Sequence, residues 1–391
     1  MRILIACPTL GINSEVWILR QIDGLVRLGH EVSVLCWQHD GYTPEDYTDR
    51  PVTVLPYGLS GATGFKRWID RAKNALGRNF VRGSAGEEDS ISERLGQQRP
   101  DVILCHFGFV AMRVLPVAQR LGIPVAAHFH GLDLSSMLKM RWYRWSLQSQ
   151  VKKFDHAIVV GSHQAQILRD QGVDENALSL IPCGVPTEQF QPVSRPARDH
   201  VRFIQVSRVV PWKGVEQGIR AFAKVNPQLP DSRLVIVGDG VQLEEMKQLV
   251  AELGLEHAVE FTGAIPPDRV VQQLQSSDVF IHHSLTYHTG WCEGFGVSIA
   301  EAAAMSLPLV VTRSGGIPDQ VIDQQTGFLV EERDVDAMVQ AMLKLAGSAE
   351  LREQLGQAGR QRMIEHFDSA GQIAKLEGVV RNAAGDRHAE A

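Results

Sequence analysis

Two carboxylates, Glu293 and Glu301, stand eight positions apart in the stretch HTGWCEGFGVSIAEAAA, His288–Ala304. Between them Gly294, Phe295 and Gly296 lead into an alanine-rich helical pattern. Small residues let a backbone approach a ligand closely, and a helix that starts there offers its first amides to an anion. A carboxylate can accept from two adjacent hydroxyls at once. Glu301, among Ala300, Ala302 and Ala303, suits a ribose diol, and Glu293 suits the hydroxyls of a sugar. An exposed Glu on an alanine-rich helix is the bland alternative. A second stretch, SRVVPWKG (Ser207–Gly214), places Arg208 and Lys213 between an apolar run and a helical pattern. Arg grips phosphate oxygens with two donors and Lys adds a point charge, so the pair suits a diphosphate. A solvated basic loop would read the same way.

These loops need elements to hold them. Short apolar runs alternate with amphipathic ones along 391 residues, too many for one ordinary domain. Strands are expected at Arg2–Cys7, Glu31–Cys36, Val52–Leu55, Asp101–His106, Pro124–His130, His156–Val160 and Leu178–Pro182. The pattern restarts with Arg202–Ser207, Arg233–Val237, Val259–Thr262, Val279–His283, Leu309–Thr312 and Phe328–Val330. Helical periodicity is clearest in Val16–Leu28, Ser162–Gln171, Val215–Lys224, Leu243–Leu253, Val297–Ala304 and Asp334–Ala346. Such alternation means α/β architecture with two doubly wound parallel sheets. The proline-rich stretch PCGVPTEQFQPVSRPARDH reads as a linker between them, with a cleft expected where the halves face. Gly83–Gln98 reads as a polar mobile loop and Ala383–Ala391 as a frayed tail.

Composition narrows the function classes. Hydrophobic residues are 44% and charged residues 21%, ordinary for a globular protein. A net charge of −6 argues against a general nucleic-acid binder. Cys7, Cys36, Cys105, Cys183 and Cys292 are scattered, which argues against a disulfide framework or zinc ribbon. MRILIACPTLG is too short an apolar run for a signal peptide, and no window approaches the ~18 apolar residues of a spanning helix. A cytoplasmic place is expected, or one on the inner face of the cytoplasmic membrane. Met137–Phe154 carries five cations, no acid, two Trp and a Tyr, a pattern suited to peripheral contact with an anionic membrane or to an ordinary packed helix. Asp334-Val335-Asp336, the one Asp-x-Asp triplet, opens a helical pattern and reads as a cap rather than a metal site.

In their order these segments resemble retaining GT-B glycosyltransferases of family 4, of the exopolysaccharide and colanic acid type. EGFGVSIAE looks like the family's E-x7-E motif and SRVVPWKG its S-R-x-x-x-x-K-G segment. VIVGDG resembles V-G-x-G, VEFTGAI the F-x-G element, and SGGIPDQV with TGFLV the G-G-x-P-E-x-V and G-x-L-V pair, with Asp319 where Glu is usual. RLGHEVSVL matches a common strand, and HFHGLD resembles H-G-x-D. TLGINSE keeps one glycine, Gly11, where the family has two, and is closer to the P-x-x-S-E-T variant.

The resemblance implies two Rossmann-like domains, 1–190 for the acceptor and 200–365 for the donor, with a C-terminal helix near 366–384 packed back on the first. It implies Arg208 and Lys213 on the donor diphosphate, Glu293 with Gly294, Phe295 and Gly296 on the donor sugar, and Glu301 on the ribose. Gly11, Gly238 and Gly263 would line the nucleotide, and His130 would lie near the sugar. His288 or Trp291 could shape the sugar pocket. The implied reaction is metal-independent and cofactor-free transfer, with retention, from a UDP- or GDP-sugar to a glycan or lipid-linked acceptor in surface polysaccharide synthesis. A nucleotide-sugar epimerase or hydrolase of the same fold, and a non-catalytic nucleotide-sugar-binding subunit, are the competing readings.

Overall fold

In the computed structural model, which describes residues 1–11, 15–39, 52–56, 85–193 and 200–385, the apolar runs form two sheets of parallel strands. The chain divides into Met1–Pro182 together with Ala370 onward, and Cys183–Ser369. In the first unit the strands are β1 (Arg2–Leu10), β2 (Glu31–His39), β3 (Thr53–Pro56), β4 (Val102–His106), β5 (Val125–Phe129), β6 (His156–Val159) and β7 (Leu178–Leu180). Their spatial order is β3-β2-β1-β4-β5-β6-β7. The second unit holds β8 (Arg202–Val206), β9 (Arg233–Val237), β10 (Val259–Gly263), β11 (Val279–His282), β12 (Leu309–Thr312) and β13 (Phe328–Val330), ordered β10-β9-β8-β11-β12-β13. Every expected strand is present, with ends shifted by three residues at most.

The strands read as unbroken apolar runs because both faces are covered. All five residues of β4, of β5 and nearly all of β9 are buried. Helices supply the cover by burying one stripe. Val215, Ile219, Phe222 and Val225 of the helix Val215–Val225 fall on one face and join the second core with Phe203 and Ile281. In each sheet the strand order reverses once, between β1 and β4 and between β8 and β11. Ligands of open α/β sheets sit beyond the carboxyl ends of strands at such reversals. A cavity of about 500 Å³ in the first unit, lined by Arg2, Arg99, Asp101 and Pro124 among others, lies instead at the amino ends of β1, β4 and β5.

Three expectations need correction. Gly83–Gln98 is not a loop: Ala85–Gln98 is helical, and residues 83 and 84 lie outside the described residues. Its few apolar positions, Ile91 and Leu95, are one turn apart and fully buried, and Arg113 donates to the buried Glu87 at 2.9 Å. The polar composition hid a helix held by one narrow stripe and by ion pairs from Arg113 to Glu87 and from Arg120 to Glu88.

Ala383–Ala391 is not all frayed, because the helix Ser369–Gly385 includes Ala383 and Ala384, both buried; 386–391 lie outside the described residues. This helix packs within the first unit. Leu376 and Val380 are fully buried, and Glu377 lies 3.2 Å from His30. The proline-rich stretch is not a bare linker either. Val185 donates to the Phe367 carbonyl at 2.9 Å, Thr187 hydrogen-bonds Asp368, and Arg360 donates to the Phe190 carbonyl at 2.9 Å. Prolines erase periodicity without stopping a segment from docking through its backbone; residues 194–199 lie outside the described residues.

Candidate active site

In the second unit, β8 and β11 are hydrogen-bonded neighbours at the reversal, so the loops after them meet. The loop after β8 makes a tight excursion. Val209, fully buried, donates to the Asp239 carbonyl at 2.8 Å, and Pro211–Lys213 forms a single 3-10 turn. Gly214 closes the loop with φ 61°, and any side chain there would strike the His283 carbonyl. Gln205 holds the Lys213 carbonyl at 3.0 Å. The loop therefore turns Lys213 toward the end of β11.

There the Lys213 ammonium donates to the Glu293 carboxylate, with the two side chains only 15% and 7% exposed. Ser284 also donates to Glu293, at 3.4 Å, and His282 Nε2 stands 2.9 Å from the Ser284 hydroxyl. A carboxylate only accepts, so the chain of donors runs from His282 through Ser284 to Glu293. Burial, and then the charge of Lys213, holds the His282 imidazole well below its ordinary pKa, so the ring is neutral. The Glu293 backbone is pinned as well. Gly316 donates to its carbonyl at 2.9 Å, and Gly315, at φ 52°, sits where a side chain would hit that same carbonyl.

Arg208 is exposed at the start of the same loop, with its guanidinium 5.9 Å from the Trp212 ring. Trp212 and Trp291 lie 4.8 Å apart at 33°, and Lys213 is 6.0 Å from Trp291. Of the two residues singled out before Glu293, Trp291 therefore belongs to the site's wall, whereas His288 is exposed. Gly294, Phe295 and Gly296 are buried and lead into the helix Val297–Ala304. Ser298 ties that helix to the end of β8, donating to the Val206 carbonyl at 2.7 Å. Glu301 is buried one turn further along. Gly238 follows β9, Gly263 ends β10, and the two bridge each other, Gly238 N donating to the Gly263 carbonyl at 3.0 Å. A side chain at Gly238 would meet the Ser207 carbonyl; at Gly263 it would project into open space. The donor-side residues expected from sequence thus share the carboxyl end of one sheet. The Asp-x-Asp triplet is otherwise engaged: Asp334 caps its helix through Ala337 N at 2.8 Å, and Asp336 pairs with Lys224 at 2.6 Å.

In the first unit, Gly11 follows β1 with φ 92°, and Ser14 of the same loop lies outside the described residues. His130 follows β5 and is buried. The Asp133 carboxylate fixes it, accepting from the amides of His130 at 3.1 Å, Gly131 at 3.0 Å and Gly108 at 2.9 Å. Gln164 donates to the His130 carbonyl at 2.9 Å. Trp17 stacks on the imidazole, centroids 3.7 Å apart, and His106 Nδ1 lies 3.1 Å from His130 Nε2.

His128, on the same strand, is fully buried, as is His106. Burial holds all three imidazoles below their ordinary value, His128 down to about 3. Sequence reading missed His106, Asp133, Gln164, His282 and Ser284. The Asp of HGLD was visible, but its three amide partners depend on the loop's path.

A doubly wound unit with two cations and an acid converging on its strand-order reversal defines the class: a glycosyltransferase of the GT-B fold. Solved structures share the fold. The Anabaena protein Alr3699/HepE, crystallised with UDP, matches with a TM-score of 0.78 over 98% of this chain and 100% of its own, at 17% identity. Residues 14–189 match the family described as Glycosyltransferase Family 4, and residues 187–362 match Glycosyl transferases group 1.

A GDP-mannose-dependent α-(1-6)-phosphatidylinositol monomannoside mannosyltransferase of Mycolicibacterium smegmatis is 31% identical over 290 residues, 71% of this chain and 75% of that one. WcaL of Escherichia coli (strain K12), named for colanic acid biosynthesis, is 28% identical over 355 residues, 85% of this chain and 87% of that one. The chain belongs to the family 4 glycosyltransferases, as the sequence motifs implied.

The histidine cluster makes stability depend on pH. An imidazole with a depressed folded pKa contributes stability that is complete above its unfolded pKa near 6.5. That stability is lost as pH falls toward the folded value, because only the unfolded chain takes up the proton. Between pH 6 and pH 4, His128 accounts for a loss of about 1.4 kcal/mol per pH unit. Urea unfolding across this range is therefore expected to show a slope smaller by that amount in His128→Leu than in wild type. Equal slopes would mean that His128 is not held neutral.

Proposed function

We propose that the protein moves a sugar from a nucleotide-diphosphate sugar to a glycan or lipid-linked acceptor in surface polysaccharide or glycolipid synthesis, with retention at the anomeric carbon and without a metal. The Lys213–Glu293 pair beside Arg208, at the reversal of the second sheet, carries this reading. It puts positive charge where a diphosphate would leave and a fixed acceptor where sugar hydroxyls would lie. The names of similar proteins support the donor class: GDP-mannose for the mycobacterial relative, UDP and UDP-glucose in the Anabaena crystals.

In this reaction the bond from anomeric carbon to phosphate oxygen breaks as the acceptor oxygen bonds the same carbon from the same face. The acceptor proton passes to a diphosphate oxygen. The protein's part is to hold positive charge in place before the negative charge develops, usually the largest catalytic contribution. Arg208 is free to fold onto the diphosphate. Lys213 is already oriented by Glu293, so its charge needs little reorganisation. Glu293, held by Lys213 and Ser284, presents its remaining acceptor capacity to the sugar, and Glu301 serves the ribose. His130, fixed and neutral, offers a ring nitrogen to a sugar hydroxyl.

The two cations differ in a way that an experiment can separate. Arg208→Ala is expected to lower turnover at saturating donor by more than tenfold, ~1.4 kcal/mol per decade. Because the side chain is exposed, stability should change by less than about 0.5 kcal/mol. Lys213→Ala should cost both turnover and stability, the latter on the order of 3 kcal/mol, because it strands the buried Glu293 carboxylate. Turnover is read as nucleotide release that requires acceptor. Unchanged turnover in both variants would end the assignment.

Arg208 and Lys213 take over the charge stabilisation that a metal performs in other transferases. Chelation with EDTA should accordingly leave transfer intact; loss of activity restored by magnesium or manganese would refute metal independence.

The acceptor side carries a surface suited to a lipid-linked substrate. Met137–Phe154 is not one helix but the helix Arg141–Gln150 flanked by 3-10 turns. Tyr143 and Leu147 face inward, while Met140 and Trp145 are 45% and 65% exposed among the exposed Lys139, Arg141 and Arg144. Each cation near an anionic bilayer is worth about 1 kcal/mol. Reversing all three to Glu should abolish sedimentation with phosphatidylglycerol vesicles, and binding that survives the reversal would exclude this contact.

A further inference from the structure

We propose that His106, His128 and His130 form a binding site for one divalent transition-metal ion of the zinc class, each ring contributing one nitrogen. The three ligand atoms lie within 4.8 Å of one another, and all three residues are buried. His106 Nδ1 and His130 Nε2 are 3.1 Å apart. Zinc–nitrogen bonds of about 2.0 Å in a tetrahedron set neighbouring nitrogens about 3.3 Å apart, so two of the rings already stand at ligand spacing. Bringing in the third needs a movement on the order of 1 Å.

His128 is the most telling member. Its Nε2 faces the Ile181 carbonyl at 3.2 Å. A carbonyl only accepts, so the ring proton is on Nε2 and Nδ1 carries a bare lone pair. That Nδ1 is buried with no hydrogen-bond partner among the described residues. An imidazole held by a backbone carbonyl on one nitrogen, with the other nitrogen open, is the usual outer-shell arrangement of a metal-ligating histidine. Buried polar atoms left in this state call for an ion or a water.

The surroundings suit an ion. The buried Asp133 carboxylate, bonded to the His130 amide, supplies nearby negative charge. Trp17 holds the His130 ring in place. The proton now shared between His106 and His130 would move to the outer nitrogen of its own ring, leaving two lone pairs for the metal. Three imidazoles without thiolate or carboxylate ligands favour zinc, cobalt, nickel or copper over magnesium or calcium. They leave one position open for water or a substrate oxygen.

One consequence rests on the transferase reading: an ion that occupies the His130 ring should inhibit transfer. Zinc would then act against the reaction rather than for it.

The test uses the full chain, stripped of metal. Zinc affinity is measured by competition with a chromogenic chelator, and the ligand set by the absorption of the cobalt form. The expected result is one equivalent bound, visible cobalt bands of four-coordinate character, and none of the near-ultraviolet charge-transfer absorption that a thiolate from the five cysteines would give. His128→Leu and His106→Gln should each weaken binding by about 100-fold or more. If His128→Leu does not fold, His106→Gln decides. No stoichiometric binding by wild type, thiolate absorption, or undiminished affinity in a folded variant would overturn the site. Zinc that binds at the histidines without slowing transfer would count against the role of His130 in the reaction, not against the metal site.

Discussion

The pairing of β8 with β11 is the constraint on which the donor site depends. The register sets Phe203 against Val279 and Ile204 against Phe280, so the two strands end side by side. Between them the sheet changes its direction of growth, and no crossover helix covers the gap above their carboxyl ends. Lys213 and Glu293 are eighty positions apart in the chain. They meet because each lies a short loop beyond one of these strands. A one-residue slip would turn the strand side chains to opposite faces and carry both loops away from each other.

Burying that pair is not obviously favourable. Removing an ammonium and a carboxylate from water costs several kcal/mol each, and their attraction repays this only when further hydrogen bonds satisfy the remaining capacity. Ser284 adds a bond to the carboxylate, while Gln205 on the Lys213 carbonyl and Gly316 on the Glu293 carbonyl fix the backbones that carry the pair. Glycines stand at 214 and 315 because a backbone carbonyl occupies the space where a side chain would go. The loop is shaped around the charges.

Much of this was legible in the sequence, and the limits are physical. Buried parallel strands advertise themselves as apolar runs, so all thirteen strands among the described residues were found. Arg208, Lys213 and Glu293 stood out by the resemblance of their loops to family motifs, since their residue types alone also fit a solvated basic loop and an exposed Glu. What composition cannot show is which polar group meets which. Lys213 was expected on the diphosphate and Glu293 on the sugar, and the direct bond between them is set by backbone geometry alone. The helix Ala85–Gln98 was hidden because Ile91 and Leu95 are too few to make a pattern among charged neighbours. Hydrogen-bond partners such as Ser284 and Gln164 carry no signal, since Ser and Gln are common anywhere.

The histidines show the same limit from the other direction. His106, the last residue of β4, pairs with His128, the penultimate residue of β5, so their rings were bound to be adjacent once those strands paired. Nothing in either run signals it, because a single polar residue at the end of an apolar strand is common. Adjacent buried imidazoles would be a liability if left charged, and burial removes the charge; the remaining cost is unfilled hydrogen-bonding capacity. A chain that wanted only packing at these positions could have used Phe or Leu without that cost. Part of that cost is offset locally, because His106 and His130 bond each other and the Ile181 carbonyl holds the Nε2 proton of His128.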